Sequence, residues 1–352
     1  MALMESELPT EPESELTAPF VTPSAFFQSI ARGLLLLSAR IGLDLIFVVF
    51  MALLLTTILV TQGFSLRIAQ TSVLAPIGMM VFLLITRSGL WVYRHYRNQN
   101  GTLSPSHVFL QTLRDWLPFI LIDFIYENLH DLSHHFNTHD IAGVMMRWDI
   151  QIFGVEPTLW SQKFFNPLLT DYMTFAYALY FILPLVIMYF LSYRNLRSDL
   201  REVILALSLC FLIGFLGYVF FPCSPPRYFL VNEFHHPVHL YGPYLFNTLQ
   251  SRWDQLSVIP TGAFPSLHVA ISSIALIYAY RFGKRSRFDR GLYLLYVPLV
   301  ISLWVSTVYL RHHWFIDILA GWLLAIFCCW IAPILMMRWE EFRKGVEILP
   351  EM

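Results

Sequence analysis

The sequence predicts an all-α protein that crosses a membrane about eight times. Of its 352 residues, 57% are hydrophobic and 13% charged, roughly half the charged share of a soluble domain and too little to cover a water-facing surface. Apolar runs near or beyond 18 residues, about the length that crosses a bilayer core, recur along the chain. The basic residues gather in alternate segments between those runs, as they do in cytoplasmic loops.

Residues 1–30 carry Glu5, Glu7, Glu11, Glu13 and Glu15 with Pro9, Pro12, Pro19 and Pro23. This composition is expected to stay disordered, and it lacks the positive start and short apolar segment of a signal peptide. Residues 31–112 hold two apolar runs, near 34–60 and 71–92, read as accessory spans. A catalytic membrane domain at 113–337 holds the others, near 113–129, 172–192, 202–222, 266–281, 291–311 and 314–337, and 338–352 form a cytoplasmic tail. The run at 113–129 is the weakest, because the stretch from Trp116 to Tyr126 is short and contains Pro118 and Asp123. An interfacial or re-entrant helix would fit it equally well. Charge placement favours a span. With a cytoplasmic amino terminus and eight crossings, most of the 23 Lys and Arg face the cytoplasm; omitting this run splits the basic loops between the two sides. The same parity brings 130–170, 222–265 and 311–313 together on the non-cytoplasmic face, with most of the 12 histidines.

Net charge is −1, which favours no nucleic-acid partner. Cys210, Cys223, Cys328 and Cys329 show neither CxxC nor zinc spacing and read as small apolar packing residues.

Two constellations carry chemistry. His313 and Asp317 are four apart, so on a helix they share a face. A carboxylate on one imidazole nitrogen fixes the tautomer and leaves the other nitrogen as nucleophile or base. An ionisable pair at the head of an apolar span is costly and usually functional, although an Asp in a first helical turn also serves as a cap that suits the dipole. The second constellation, Pro265-Ser266-Leu267-His268, opens the span at 266–281. Proline suits a first turn, the free N–H groups there attract an anion, Ser266 adds a hydroxyl and His268 a proton donor or acceptor. Together the two supply one imidazole to attack phosphorus and a second to protonate the leaving oxygen.

These residues resemble the type 2 phosphatidic acid phosphatase superfamily. The Pro-Ser-Leu-His form and the string Tyr309-Leu310-Arg311-His312-His313-Trp314-Phe315-Ile316-Asp317 are most similar to the inositol phosphorylceramide synthase branch and its bacterial relatives. Asp149-Ile150-Gln151-Ile152-Phe153-Gly154 followed by Pro157-Thr158-Leu159-Trp160 adds to the likeness, which covers roughly 120–337. It implies a six-helix core and chemistry that needs neither metal nor cofactor. It further implies His313 as the nucleophile that forms a phospho-histidine, Asp317 as its orienting carboxylate, His268 as general acid and Ser266 as a phosphate contact.

Two departures accompany the resemblance. The phosphatase form of the last motif begins Ser-Arg, where this chain has Ser306-Thr307. Arg311 lies four residues after Thr307 and would project from much the same face if the helix continued. The first phosphatase motif pairs a lysine with Arg-Pro, whereas here the loop reads Pro222-Cys223-Ser224-Pro225-Pro226-Arg227-Tyr228 with no matching lysine. Arg227 suits a phosphate clamp, because guanidinium binds phosphate oxygens bidentately.

His130, Asp131, His134, His135, His139 and Asp140 form a further cluster. His130 and His134 share a helical face, and such a set suits zinc or iron. No metal is assigned here: His130 and His134, with Asp149, are candidates for binding a headgroup or acceptor, beside plain structural hydrogen bonding. The aromatic loop 228–262 reads as a lid or an interfacial belt. The expected enzyme transfers phosphoryl groups from a lipid phosphate ester to a hydroxyl acceptor, or to water as a phosphatase. A histidine-lined transporter or metal-binding protein would place ionisable residues inside several spans, where only Asp44 and Asp123 stand out.

Overall fold

The computed structural model describes residues 41–66, 105–194, 196–235, 239–256, 260–284 and 287–345, with isolated positions among 33–36 and 78–89. The acidic tail, nearly all of the second expected span, and residues 346–352 lie outside the described residues. Among the described residues the chain is helical, and the sole pairing of extended backbone is a bridge between Cys223 and Gly262.

Five helices are long and apolar enough to cross a membrane. They are α1 (Leu43–Thr61), α5 (Pro167–Tyr193), α6 (Arg197–Phe220), α10 (Arg287–Tyr309) and α11 (Phe315–Gly345). A sixth apolar helix, α9 (Leu267–Gly283), has 17 residues. The outward faces carry Phe50, Leu53, Val60, Ile182, Leu294 and Leu323, all well exposed. Helices apolar on all sides are stable only in lipid or a large core, so the protein is an integral membrane bundle.

The run expected to be weakest, 113–129, lies inside the longest helix, α2 (Pro105–Phe136). Pro118 stands inside this helix, and the charges just before the apolar stretch are paired by neighbouring helices. Arg114 pairs with Asp44 of α1 at 3.0 Å, and Arg197 of α6 pairs with Asp115 at 2.6 Å. α11 runs to Gly345, past the expected end near 337. Arg338 with Glu341 and Arg343 with Glu340 form i,i+3 pairs along this extension, which support a helix after its apolar face has ended.

α6 and α9 occupy the centre. α6 packs on α1, α2, α5, α9 and α11, and α9 packs on α5, α6, α10 and α11. Two glycines permit the close approaches. A Cβ on Gly217 of α6 would collide with Pro265 Cδ, and one on Gly321 of α11 would meet the carbonyl oxygen of Ser266 at 2.7 Å. The start of α9 is thereby pressed between α6 and α11. Short helices α3 (Ala142–Phe153), α4 (Pro157–Ser161), α7 (Pro226–Phe229) and α8 (Phe246–Leu256) lie in the segments between the long helices. Asp171 of α5 accepts from the backbone N–H groups of Tyr244, Leu245 and Phe246, which anchors the start of α8.

Candidate active site

α10 ends in a turn that displays the histidines. Arg311 N–H donates to Val308 O and His312 N–H to Thr307 O, each at 2.9 Å, and Arg311 has φ 66°. This is the Schellman arrangement, with arginine where glycine is usual; the left-handed conformation costs an L-residue about 1–2 kcal/mol. His312 and His313 follow it.

α11 then starts at Phe315 with its backbone donors occupied. Trp314 N–H donates to Asp317 Oδ2 at 3.0 Å. Phe315 N–H and Ile316 N–H donate to the two oxygens of Asp149 at 2.7 and 3.0 Å. The groups a helix leaves unsatisfied at its amino end are therefore held by two carboxylates. Asp149 is fully buried on backbone and does not line the cavity described below. Its expected contact with a headgroup or acceptor gives way to a cap. Burial pushes its carboxyl up to about 7 against the opposing pull of the two N–H groups.

The two imidazoles meet. His313 Nε2 lies 3.3 Å from His268 Nδ1. His313 Nδ1 lies 2.9 Å from Ala263 O and 3.5 Å from Asp317 Oδ2. A carbonyl oxygen only accepts, so Nδ1 carries the proton and Nε2 presents its lone pair. Ala263 is the nearer partner, and no motif announced it. His268, in the first turn of α9, stacks on Tyr177 at a ring distance of 4.4 Å and packs against Tyr180 at 4.3 Å; His312 stacks on Tyr177 at 4.6 Å. Burial, and then the nearby Arg227, hold His312 well below the usual imidazole range, so it is neutral at physiological pH. Tyr177, Tyr180 and His312 had no sequence signal beyond their place among other aromatics and histidines.

A cavity of about 500 Å³ opens from the histidines into the bundle. His268, His312, His313 and Arg227 line its polar end, and side chains of α2, α5, α6 and α9 form a mainly apolar interior. Arg227 also lies over the Tyr228 ring at 4.5 Å, and its N–H donates to Arg311 O at 2.9 Å.

The other expected phosphate contacts are placed differently. Ser266 is fully buried as the amino-terminal cap of α9, accepting from Val269 N–H at 3.4 Å, and is not part of the cavity lining. Pro265 precedes this cap instead of standing in the first turn. Arg311 was expected to replace the missing arginine if the helix continued, but α10 stops at Tyr309 and the left-handed turn carries Arg311 over the Phe234 ring at 3.7 Å. Burial lowers its pKa to about 10, which leaves it cationic at neutral pH. The side chains of His130 and His134 lie outside the described residues; their backbone belongs to α2. Within the same cluster, Asp140 accepts from Ala142 N–H and Ser224 N–H, joining α3 to the Arg227 loop.

A helical membrane bundle with two imidazoles and a buried carboxylate at the head of an apolar cavity has the construction of a phosphoryl-handling lipid enzyme. The PAP2 superfamily profile matches residues 133–331, more than half of the chain, and the protein belongs to that superfamily. The chain is 32% identical over 116 residues to the inositol phosphorylceramide synthase catalytic subunit of Saccharomyces cerevisiae, covering 29% of this chain and 26% of that one. It is 29% identical over 139 residues to the phosphoinositol dihydroceramide synthase of Bacteroides thetaiotaomicron, 34% of this chain and 43% of that one. A PA-phosphatase related-family protein of Dictyostelium discoideum is 25% identical over 211 residues, 53% of this chain and 37% of that one. The matched stretches thus span less than half the length of these relatives. No solved structure matches the chain.

Proposed function

We propose that the protein is a membrane phosphotransferase that moves a phosphoryl-bearing headgroup from a phospholipid to a hydroxyl on a second lipid, through a covalent intermediate on His313. The observation that carries this reading is the 3.3 Å approach of His313 Nε2 to His268 Nδ1, with His313 Nδ1 already committed to Ala263 O. With the His313 Nδ1 proton directed to Ala263 O, Nε2 is placed to accept a hydrogen bond from His268 Nδ1. Entry of a phosphate group would part the two rings. The His313 Nε2 lone pair then forms a nitrogen–phosphorus bond as the phosphorus–oxygen bond to the lipid breaks, and the departing oxygen takes the proton from His268. In the second half, the acceptor hydroxyl gives its proton to His268 as its oxygen attacks phosphorus, and the bond to His313 breaks. Asp317 and Ala263 O hold the ring in the attacking tautomer and share the positive charge that builds on it. Arg227 neutralises charge on the phosphate oxygens.

The names of the yeast and Bacteroides relatives support transfer to a ceramide-type acceptor. The longer match to the Dictyostelium protein supports a second reading in which water is the acceptor and the protein is a lipid phosphatase. The basic residues concentrated between alternate spans support a site on the non-cytoplasmic face. Purified protein supplied with labelled phospholipid, with and without a ceramide or diacylglycerol acceptor and with and without chelator, tests the reading. A new labelled lipid supports transfer, released phosphate or headgroup phosphate supports hydrolysis, and loss of all turnover with chelator rejects the metal-free route.

A further inference from the structure

The histidine end does not account for every polar group in the cavity. Asp123 stands on α2 and lines the same cavity among Phe119, Ile122 and Tyr126. It lies about 13 Å along the helix from Arg114, and the nearest acid on its own helix is the buried Glu127, one turn away. Its Oδ2 is buried and meets no hydrogen-bond partner among the described residues. A carboxylate facing an apolar interior is costly unless something bonds to it. Tyr180 lines the same cavity as Asp123 and packs its ring on His268 at 4.3 Å.

We propose that Asp123 selects the acceptor lipid by taking a hydrogen bond from a donor group beside the reacting hydroxyl. An amide-linked amino-diol lipid carries a second O–H and an N–H within a few bonds of that hydroxyl. An ester-linked diacylglycerol carries only the reacting O–H, flanked by carbonyl oxygens that repel a carboxylate. A site built to hydrogen-bond a donor rejects the analogue that lacks it, because its own polar group is then left unpaired. Asp123 is thus a specificity residue, while His268 and His313 perform the reaction on either lipid. The assignment rests on the reading that the lipid reacts at the histidine pair.

The test compares kcat/KM for an N-acyl amino-diol with that for a diacylglycerol as acceptor, in wild type, Asp123→Asn and Asp123→Leu. The expected result is a fall in this ratio of about tenfold or more in Asp123→Leu, the loss of one hydrogen bond to a charged group, carried mainly by KM. Asp123→Asn, which keeps side-chain volume and one accepting oxygen, should fall in between. An unchanged ratio in both variants overturns the assignment. Equilibrium binding of a radiolabelled N-acyl amino-diol to protein in nanodiscs separates the two claims without turnover. Wild type should bind it at least about tenfold more tightly than Asp123→Leu does, and equal binding by the two overturns the assignment. If wild type turns over no lipid phosphate yet the binding difference holds, the phosphotransferase reading fails and the acceptor site stands. If transfer proceeds without selectivity between the two acceptors, the acceptor site fails and the enzyme reading stands.

Discussion

The two ends of the bundle use carboxylates differently. At the end where α1, α2 and α6 meet, acids face guanidinium groups: Asp44 takes Arg114 and Arg201, Asp115 takes Arg197, and Asp289 of α10 takes Arg194. At the histidine end, acids face backbone. Asp149 and Asp317 hold the start of α11, Asp171 holds the start of α8, and Asp140 holds the start of α3. The first arrangement joins helices across an apolar core, so its loss is felt in stability. The second fixes the position of loops and helix ends, so its loss is felt in the geometry of the groups those loops carry. This contrast sets the order of expected effects.

The largest losses belong to the imidazoles. His313→Ala and His268→Ala should each lower turnover by at least about 10³-fold, with a thermal unfolding midpoint close to wild type. A loss below tenfold in either variant would remove that residue from the reaction. Asp317→Asn should cost less, about 10²-fold, within the range for general acid–base groups, because Ala263 O still holds the tautomer of His313. An effect equal to that of His313→Ala would mean that the carbonyl is no substitute.

Asp149→Asn should lower kcat by about tenfold through a shifted α11 start, since small displacements of reacting groups are costly. It should also change the pH response. The carboxyl is pushed up to about 7 in the folded chain from its ordinary value of 3.8. Below about 7 it takes a proton and its grip on two N–H groups weakens, so wild-type turnover should decline with acid in a limb that Asp149→Asn lacks. For stability the sign is reversed. Between about 4 and 7 the folded state holds a proton that the unfolded state releases, so this group's contribution falls as pH rises. Denaturant titrations of wild type and Asp149→Asn across that window would show whether the slope disappears. At the opposite end, Asp44→Ala leaves two guanidinium groups without their shared carboxylate. It should lower unfolding stability by about 3 kcal/mol while turnover per folded molecule stays near wild type.

Much of this contrast is legible in the sequence, and its gaps have physical causes. The apolar spans read clearly because lipid demands them. α2 read poorly because its apolar stretch is short and holds Pro118 and Asp123, whereas the helix runs through both and is tied to its neighbours by Arg114–Asp44 and Asp115–Arg197. The histidine motifs announced which groups would converge, since each stands at the head of a span. Ala263 O was invisible, because a backbone carbonyl has no residue signature. Asp149 was noticed for its place in a resembling string, but its partners, Phe315 and Ile316, lie far along the chain. Arg311 was misjudged because a helix was assumed to run on through a residue that instead takes φ 66°, a conformation that arginine gives no reason to expect.

The proposed reaction depends on a covalent bond between phosphorus and His313. Purified protein mixed with a phosphorus-labelled phospholipid, quenched within the first turnover and digested under alkaline conditions, reports it directly. The predicted result is label on the peptide containing His313, stable to base and released by acid, and absent from His313→Gln. Full turnover with no label on that peptide at any quench time, or label that persists in His313→Gln, would contradict it.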